Sequence, residues 1–168
     1  MADARLFIGL WPPDDVREAV MEHAARWSWP RGTRLVRRDK VHLTMHFLGS
    51  VPDDRIGALA RGIELPFEPF ELQLTHGELW PGGIAVLAPR VVPPALSELH
   101  ERLGRALGGL DHAPERSQLR AHVTLARHAR HALPPTQDDD IRWAVQGYAL
   151  IESDRRPPTT YRTLASYA

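Results

Sequence analysis

Two segments of the chain carry the same short word in the same setting. One is Val41-His42-Leu43-Thr44-Met45-His46-Phe47-Leu48-Gly49 and the other is Ala121-His122-Val123-Thr124-Leu125-Ala126-Arg127. Both alternate apolar and polar residues, the pattern of a half-buried strand rather than a helix. Strand side chains point alternately to the two faces. The alternation predicts Val41, Leu43, Met45 and Phe47 in the core, with His42, Thr44 and His46 sharing the other face. In the second copy it sends Val123 and Leu125 inward and His122 with Thr124 outward. A pair of imidazoles, each followed two residues on by a hydroxyl, can do acid–base chemistry on a phosphate ester.

The two histidines lie 80 residues apart in a chain of 168, and each motif strand follows a helix and a loop. This weak duplication predicts two similar halves facing each other, with one motif on each wall of a cleft. Arg5 to Trp11 reads as a first strand. Pro12-Pro13-Asp14-Asp15 then suits the first turn of a helix running to about Trp27, because proline lacks the N–H that a first turn leaves unused and acids complement the helix dipole. A short strand is expected over Arg34 to Arg37 and the first motif strand over Val41 to Leu48. Gly49-Ser50-Val51-Pro52-Asp53-Asp54 reads as a turn into a second helix ending near Ile63. Phe70 to Thr75 alternates as a strand, Trp80-Pro81-Gly82-Gly83 reads as a turn, and Ile84 to Leu87 as its return strand. Pro93-Pro94 opens a third helix to about Leu107, ended by Gly108-Gly109. A polar loop is expected over 111–119, and Asp138-Asp139-Asp140 reads as a solvated run. Trp143 to Ile151 and Tyr161 to Tyr167 read as a closing antiparallel pair joined by Arg155-Arg156-Pro157-Pro158. Strands outnumber helices without strict alternation, so the expected class is α+β.

Lysine plus arginine and aspartate plus glutamate both number 21, so the formal charge is zero and no long nucleic-acid footprint is announced. Lys40 is the only lysine. Arginine offers a planar fork that grips phosphate with two parallel hydrogen bonds. The absence of cysteine excludes disulfides, thiolate nucleophiles and thiolate metal sites. No leader and no apolar run approaching the roughly 20 residues of a membrane span is read, so a soluble cytoplasmic protein is expected, as a single domain over 1–168. No His-Glu-x-x-His motif and no phosphate loop of the Gly-x-x-x-x-Gly-Lys kind occurs, and neither a metal nor a cofactor is expected.

With Arg5-Leu6-Phe7-Ile8-Gly9-Leu10-Trp11-Pro12 before the two motif strands, and Leu150-Ile151-Glu152-Ser153 with Tyr161-Arg162 after them, the chain resembles the two-histidine phosphoesterase superfamily. More closely, it resembles the RNA 2′,3′-cyclic phosphodiesterase family once called 2′-5′ RNA ligases. The resemblance spans nearly the whole chain. It implies a bilobal α+β fold of two pseudo-symmetric antiparallel-sheet lobes with outer helices and a central cleft. It implies metal-independent hydrolysis of RNA or nucleoside 2′,3′-cyclic phosphate ends to 2′-phosphates; apart from the resemblance, a monomer that meets no membrane is expected. It also implies that His42 is the proton donor and His122 the proton acceptor.

Chemistry adds Thr44 and Thr124 as hydroxyl donors to the non-bridging oxygens. Arg127 is the expected phosphate clamp, although simple alternation puts it with Val123 and Leu125, so the strand must end or bulge near Ala126. His46 is a candidate for lining the groove. Trp80 either stacks a base at the cleft mouth or packs in its hairpin. A non-catalytic RNA-end or nucleotide-binding module is the alternative reading, and 2′-5′ ligation of RNA ends a possible side activity.

Overall fold

A computed structural model describes residues 2–114 and 118–168; of the loop read over 111–119, residues 115–117 lie outside the described residues. Ten strands and three helices are described: β1 (Asp3–Leu10), α1 (Asp14–Ala25), β2 (Arg34–Leu35), β3 (Leu43–Pro52), α2 (Asp53–Gly62), β4 (Phe70–Leu74), β5 (His76–Trp80), β6 (Ile84–Ala88), α3 (Pro94–Gly109), β7 (Val123–Arg127), β8 (Ile141–Val145), β9 (Tyr148–Asp154) and β10 (Thr160–Tyr167). A single 3-10 turn, Arg38–Lys40, precedes His42. Among the described residues, no helix is long and apolar enough to cross a membrane.

Every strand pairing is antiparallel. Eight strands form one sheet in the order β10-β9-β1-β3-β7-β6-β5, with β2 on the remaining edge of β7, while β4 and β8 pair separately. The halves expected from the duplication meet at the two motif strands, β3 and β7, joined by the pair Leu43–Val123. Both residues are fully buried. On their side of the sheet, Leu96, Leu99, Leu103 and Leu107 of α3 and Val16 and Val20 of α1 enter the same core, so the apolar stripes of these helices cover one face and leave the other to the cleft.

Three readings need correction. The motif strand does not end at Leu48. It continues to Pro52, because Gly49 takes φ +68°, open to a residue without Cβ, and the chain bulges instead of turning. The stretch 70–80 holds two strands in different sheets: Phe70–Leu74 pairs with β8, and it is His76–Trp80 that pairs with β6 across the turn. Trp143 to Ile151 is likewise divided at Gln146-Gly147, where the backbone passes so close to Tyr167 that a Cβ on Gly147 would overlap its carbonyl oxygen. Only the part from Tyr148 onward pairs with β10.

Candidate active site

The simple alternation holds through Met45 and Leu125 and then breaks in the same way in both motifs. In β3, Ile8 and Gly9 face His46 and Thr44, leaving Met45 as an extra residue. In β7, Ala85 and Val86 face Ala126 and Thr124, leaving Leu125 extra. An extra residue reverses the facing of all that follow. So the residue after each bulge, His46 or Ala126, turns into the core, and the next, Phe47 or Arg127, turns out. This resolves the parity difficulty at Arg127, which lines the cleft with His42, Thr44, His122 and Thr124. His46 is absent from the lining of that cleft and instead shares a smaller pocket with Thr44, Phe47 and His122. His46 is 4 % exposed, its ring stacks on His100 of α3 at 4.0 Å, and its Nε2 donates to the His100 carbonyl at 2.9 Å.

The register through Leu43–Val123 carries the two motifs to one place. Continued one residue either way, it sets His42 across from Thr124 and Thr44 across from His122. The two histidines are held alike: His42 Nδ1 donates to the Lys40 carbonyl at 2.7 Å and His122 Nδ1 to the Arg120 carbonyl at 2.5 Å. A carbonyl can only accept, so each ring carries a proton on Nδ1 and does its chemistry at Nε2. Thr44 Oγ1 lies 3.0 Å from His42 Nε2.

The surroundings of the two imidazoles differ. His42 is enclosed by the rings of Phe7 (4.9 Å), Tyr161 (5.3 Å, edge-on) and Trp11 (5.8 Å). Burial in this aromatic wall is the main cause that pushes its pKa down to about 4; the bond to the Lys40 carbonyl opposes the shift, and His122, Arg127 and Arg17 add to it. His122 lies against Trp80 with ring centroids 4.4 Å apart, and the Arg120 guanidinium covers the same indole at 3.9 Å. Trp80 thus packs on a motif histidine. Its Nε1 donates to Glu78 at 3.1 Å, and the other Glu78 oxygen accepts from His76 Nε2 at 2.9 Å.

The cleft has a volume of about 910 Å³. Its described lining includes Arg5, Arg34, Arg37, Lys40, Arg127 and Arg155 and no carboxylate, in a chain whose charges balance overall. Arg37 is paired with Asp39, at 3.0 Å. The sequence reading missed this concentration, as well as Phe7 and Tyr161, because the lining comes from segments far apart in the chain, and it turned Phe47 inward because the bulge at Met45 leaves no local mark. The one local signal was Arg155 in the connection before β10. Elsewhere, Asp139 is more than part of a solvated run, since it accepts from His23 Nδ1 at 2.6 Å and pairs with Arg26. Among the described residues, no group of three or more His, Cys, Asp or Glu could hold a metal ion.

Residues 10–85 match the family model described as LigT-like phosphoesterase. The chain is 29% identical over 170 residues to the RNA 2′,3′-cyclic phosphodiesterase of Escherichia coli K12, covering 98% of this chain and 96% of that one. It is 29% identical over 169 residues to the protein of the same name from Thermus thermophilus, covering 91% and 83%. The crystal structure of E. coli LigT in apo form superposes with a TM-score of 0.89 at 26% identity, over 100% of this chain and 98% of that one. Family model, near full-length relatives and fold agree in what the chain is similar to, the LigT-like phosphoesterases.

Proposed function

We propose that this protein hydrolyses 2′,3′-cyclic phosphate ends of RNA or nucleosides to 2′-phosphates, without a metal. The observation that carries the reading is the meeting of two His-x-Thr words in one cleft, related through the Leu43–Val123 pair, with both Nδ1 atoms tied to carbonyls. The relatives named RNA 2′,3′-cyclic phosphodiesterase support the substrate class, as does the E. coli LigT structure complexed with 3′-AMP.

Ring opening needs a water in line with the departing oxygen. His122 Nε2 takes the water proton as the oxygen attacks phosphorus. The bond from phosphorus to O3′ breaks, and protonated His42 gives its Nε2 proton to that oxygen. The phosphate remains on O2′. Two groups on opposite sides of phosphorus contribute about 10²–10⁴-fold each. Thr44 and Thr124 donate to the non-bridging oxygens, and Arg127 grips them with its guanidinium fork.

Phe47, half exposed in the cleft, offers its ring face to the base. Arg5, Arg34, Lys40 and Arg155 form no ion pair with a carboxylate among the described residues, and they supply positive charge for the rest of an RNA strand. His46, stacked on His100 of α3, supports the strand beside the small pocket it shares with Thr44 and His122.

The test is incubation with 2′,3′-cyclic nucleotides and cyclic-phosphate-ended oligoribonucleotides in the presence of chelator. A 2′-monophosphate product is expected. No turnover, or a 3′-phosphate product, overturns the reading. His42→Ala and His122→Ala are each expected to abolish turnover with the fold intact.

A further inference from the structure

The α1 helix buries a guanidinium directly behind His42. Arg17 is 9 % exposed and sits between Val16 and Val20 on the core side of the helix. Its Nη1 donates to the carbonyls of Arg38 (2.6 Å) and Val41 (3.1 Å), and its Nη2 to the carbonyl of Pro12 (3.2 Å). It makes no ion pair with a carboxylate among the described residues. A buried cation whose hydrogen bonds all go to backbone carbonyls, with Asp14 and Asp39 acting on it only at longer range, is a costly arrangement, and an apolar side chain would fill a helix face at less cost. What the guanidinium does that an apolar side chain cannot is join three separate backbone points.

Those points frame the His42 ring. Arg38 opens the 3-10 turn and Val41 follows it, so the two carbonyls bracket Lys40, whose own carbonyl receives His42 Nδ1–H. Pro12 follows Trp11, whose indole packs against His42, and the Arg17 guanidinium itself lies 5.7 Å from that indole. We propose that Arg17 is a positioning residue for His42: it clamps the 38–41 turn to the Trp11–Pro12 segment, so fixing the Nδ1–H tautomer and holding Nε2 toward the scissile phosphate. It touches no substrate. Its permanent charge also adds to the low proton affinity of His42.

The inference rests on the catalytic reading of His42, and the experiment separates the two. Arg17→Met and Arg17→Lys are compared with the unaltered protein by thermal unfolding, by kcat and KM on a cyclic-phosphate oligoribonucleotide, and by ¹⁵N NMR of the His42 ring in the substrate-free protein. Both variants are expected to lower kcat by about 10–100-fold, the scale of a small misplacement of a reacting group, with KM within about threefold. Both are expected to show a mixture of His42 tautomers. The His42 midpoint rises in Arg17→Met and stays low in Arg17→Lys, which keeps the charge but cannot span three carbonyls.

Folded variants with an unmixed Nδ1–H tautomer overturn the proposal, including the case in which only the unfolding temperature falls. A mixed tautomer with unaltered kcat would instead overturn the catalytic role of His42. Should Arg17→Met not fold, Arg17→Lys and Arg17→Gln carry the same readouts.

Discussion

Phe47 and Arg127 hold the same place in the two motif copies. Each is the fifth residue after its histidine, each follows an extra residue that reverses the strand's facing, and each is turned out into the cleft. The duplicated bulge supplies an aromatic plate from one wall and a guanidinium fork from the other, so a nearly symmetric frame presents two chemically different groups to the cleft. Arg127→Ala removes charge-assisted hydrogen bonds of about 1.5–3 kcal/mol, and kcat/KM is expected to fall roughly 10–100-fold on every cyclic-phosphate substrate. Phe47→Ala is expected to raise KM by about 5–100-fold on nucleotide substrates, the worth of one base stack, and to leave an abasic ribose cyclic phosphate unaffected. Equal losses on both substrates in the Phe47 variant would refute the division of labour. Steady-state kinetics on the two substrates checks both statements.

Trp80 is expected to act through His122. Its indole contacts both the His122 imidazole and the Arg120 guanidinium, and the Arg120 carbonyl is the acceptor for His122 Nδ1. Trp80→Leu removes that plate from the ring proposed as the proton acceptor, and a loss of about tenfold in kcat with little change in KM is expected. A variant that instead raises KM and spares kcat would show that Trp80 stacks a base. Kinetic assays with thermal unfolding as a folding check distinguish the outcomes.

The parts of this site that were legible in the sequence are those set by residues next to one another. Alternation placed His42, Thr44, His122 and Thr124 on one face, and the proline-led helix entries near residues 13, 52 and 93 were readable because proline and acids mark first turns. A bulge has no such local mark. Met45 and Leu125 are ordinary strand residues, and what forces the extra residue is the register against β1 and β6, so the inward turn of His46 and the outward turn of Phe47 could not be read from β3 alone. The same holds for Arg17, which reads as one more polar helix residue until α1 is packed against the turn at 38–40. The Pro52 entry was visible, but Gly49 looked like a turn because a positive φ serves a bulge and a turn equally.

His42 is expected to gain proton affinity when the cleft fills. In the open cleft its burial among rings and the nearby cations favour the neutral form, with a pKa of about 4, yet the proposed donor must carry its proton at neutral pH. A bound phosphate brings negative charge to the cluster that now disfavours the imidazolium, and an opposite charge within about 4–6 Å raises a histidine's pKa. NMR titration of the His42 ring is expected to show a midpoint near 4 in the free protein and a rise to about 6.5 or above with a saturating 2′-nucleotide. If the midpoint stays low in the complex, His42 is the base, the donor role passes to His122, and the alkaline limb of kcat is set by that residue instead.

Acid sensitivity of the fold follows from a second buried ring. His100 is 4 % exposed, stacked on His46, and its pKa is lowered to about 4, first by burial and then by the neighbouring His46. In the unfolded chain a histidine titrates near 6.5, so between about pH 6.5 and 4 the unfolded state binds the extra proton and stability falls as the pH falls; below about 4 the loss is complete. A lowering from 6.5 to about 4 corresponds to about 3 kcal/mol for a ring this thoroughly buried. His100→Gln removes the titrating ring and keeps an N–H donor, so urea unfolding at about pH 7, 5.5 and 4.5 is expected to show a shallower decline than in the unaltered protein. Parallel declines in the two would place the acid sensitivity at other groups, His42 first among them.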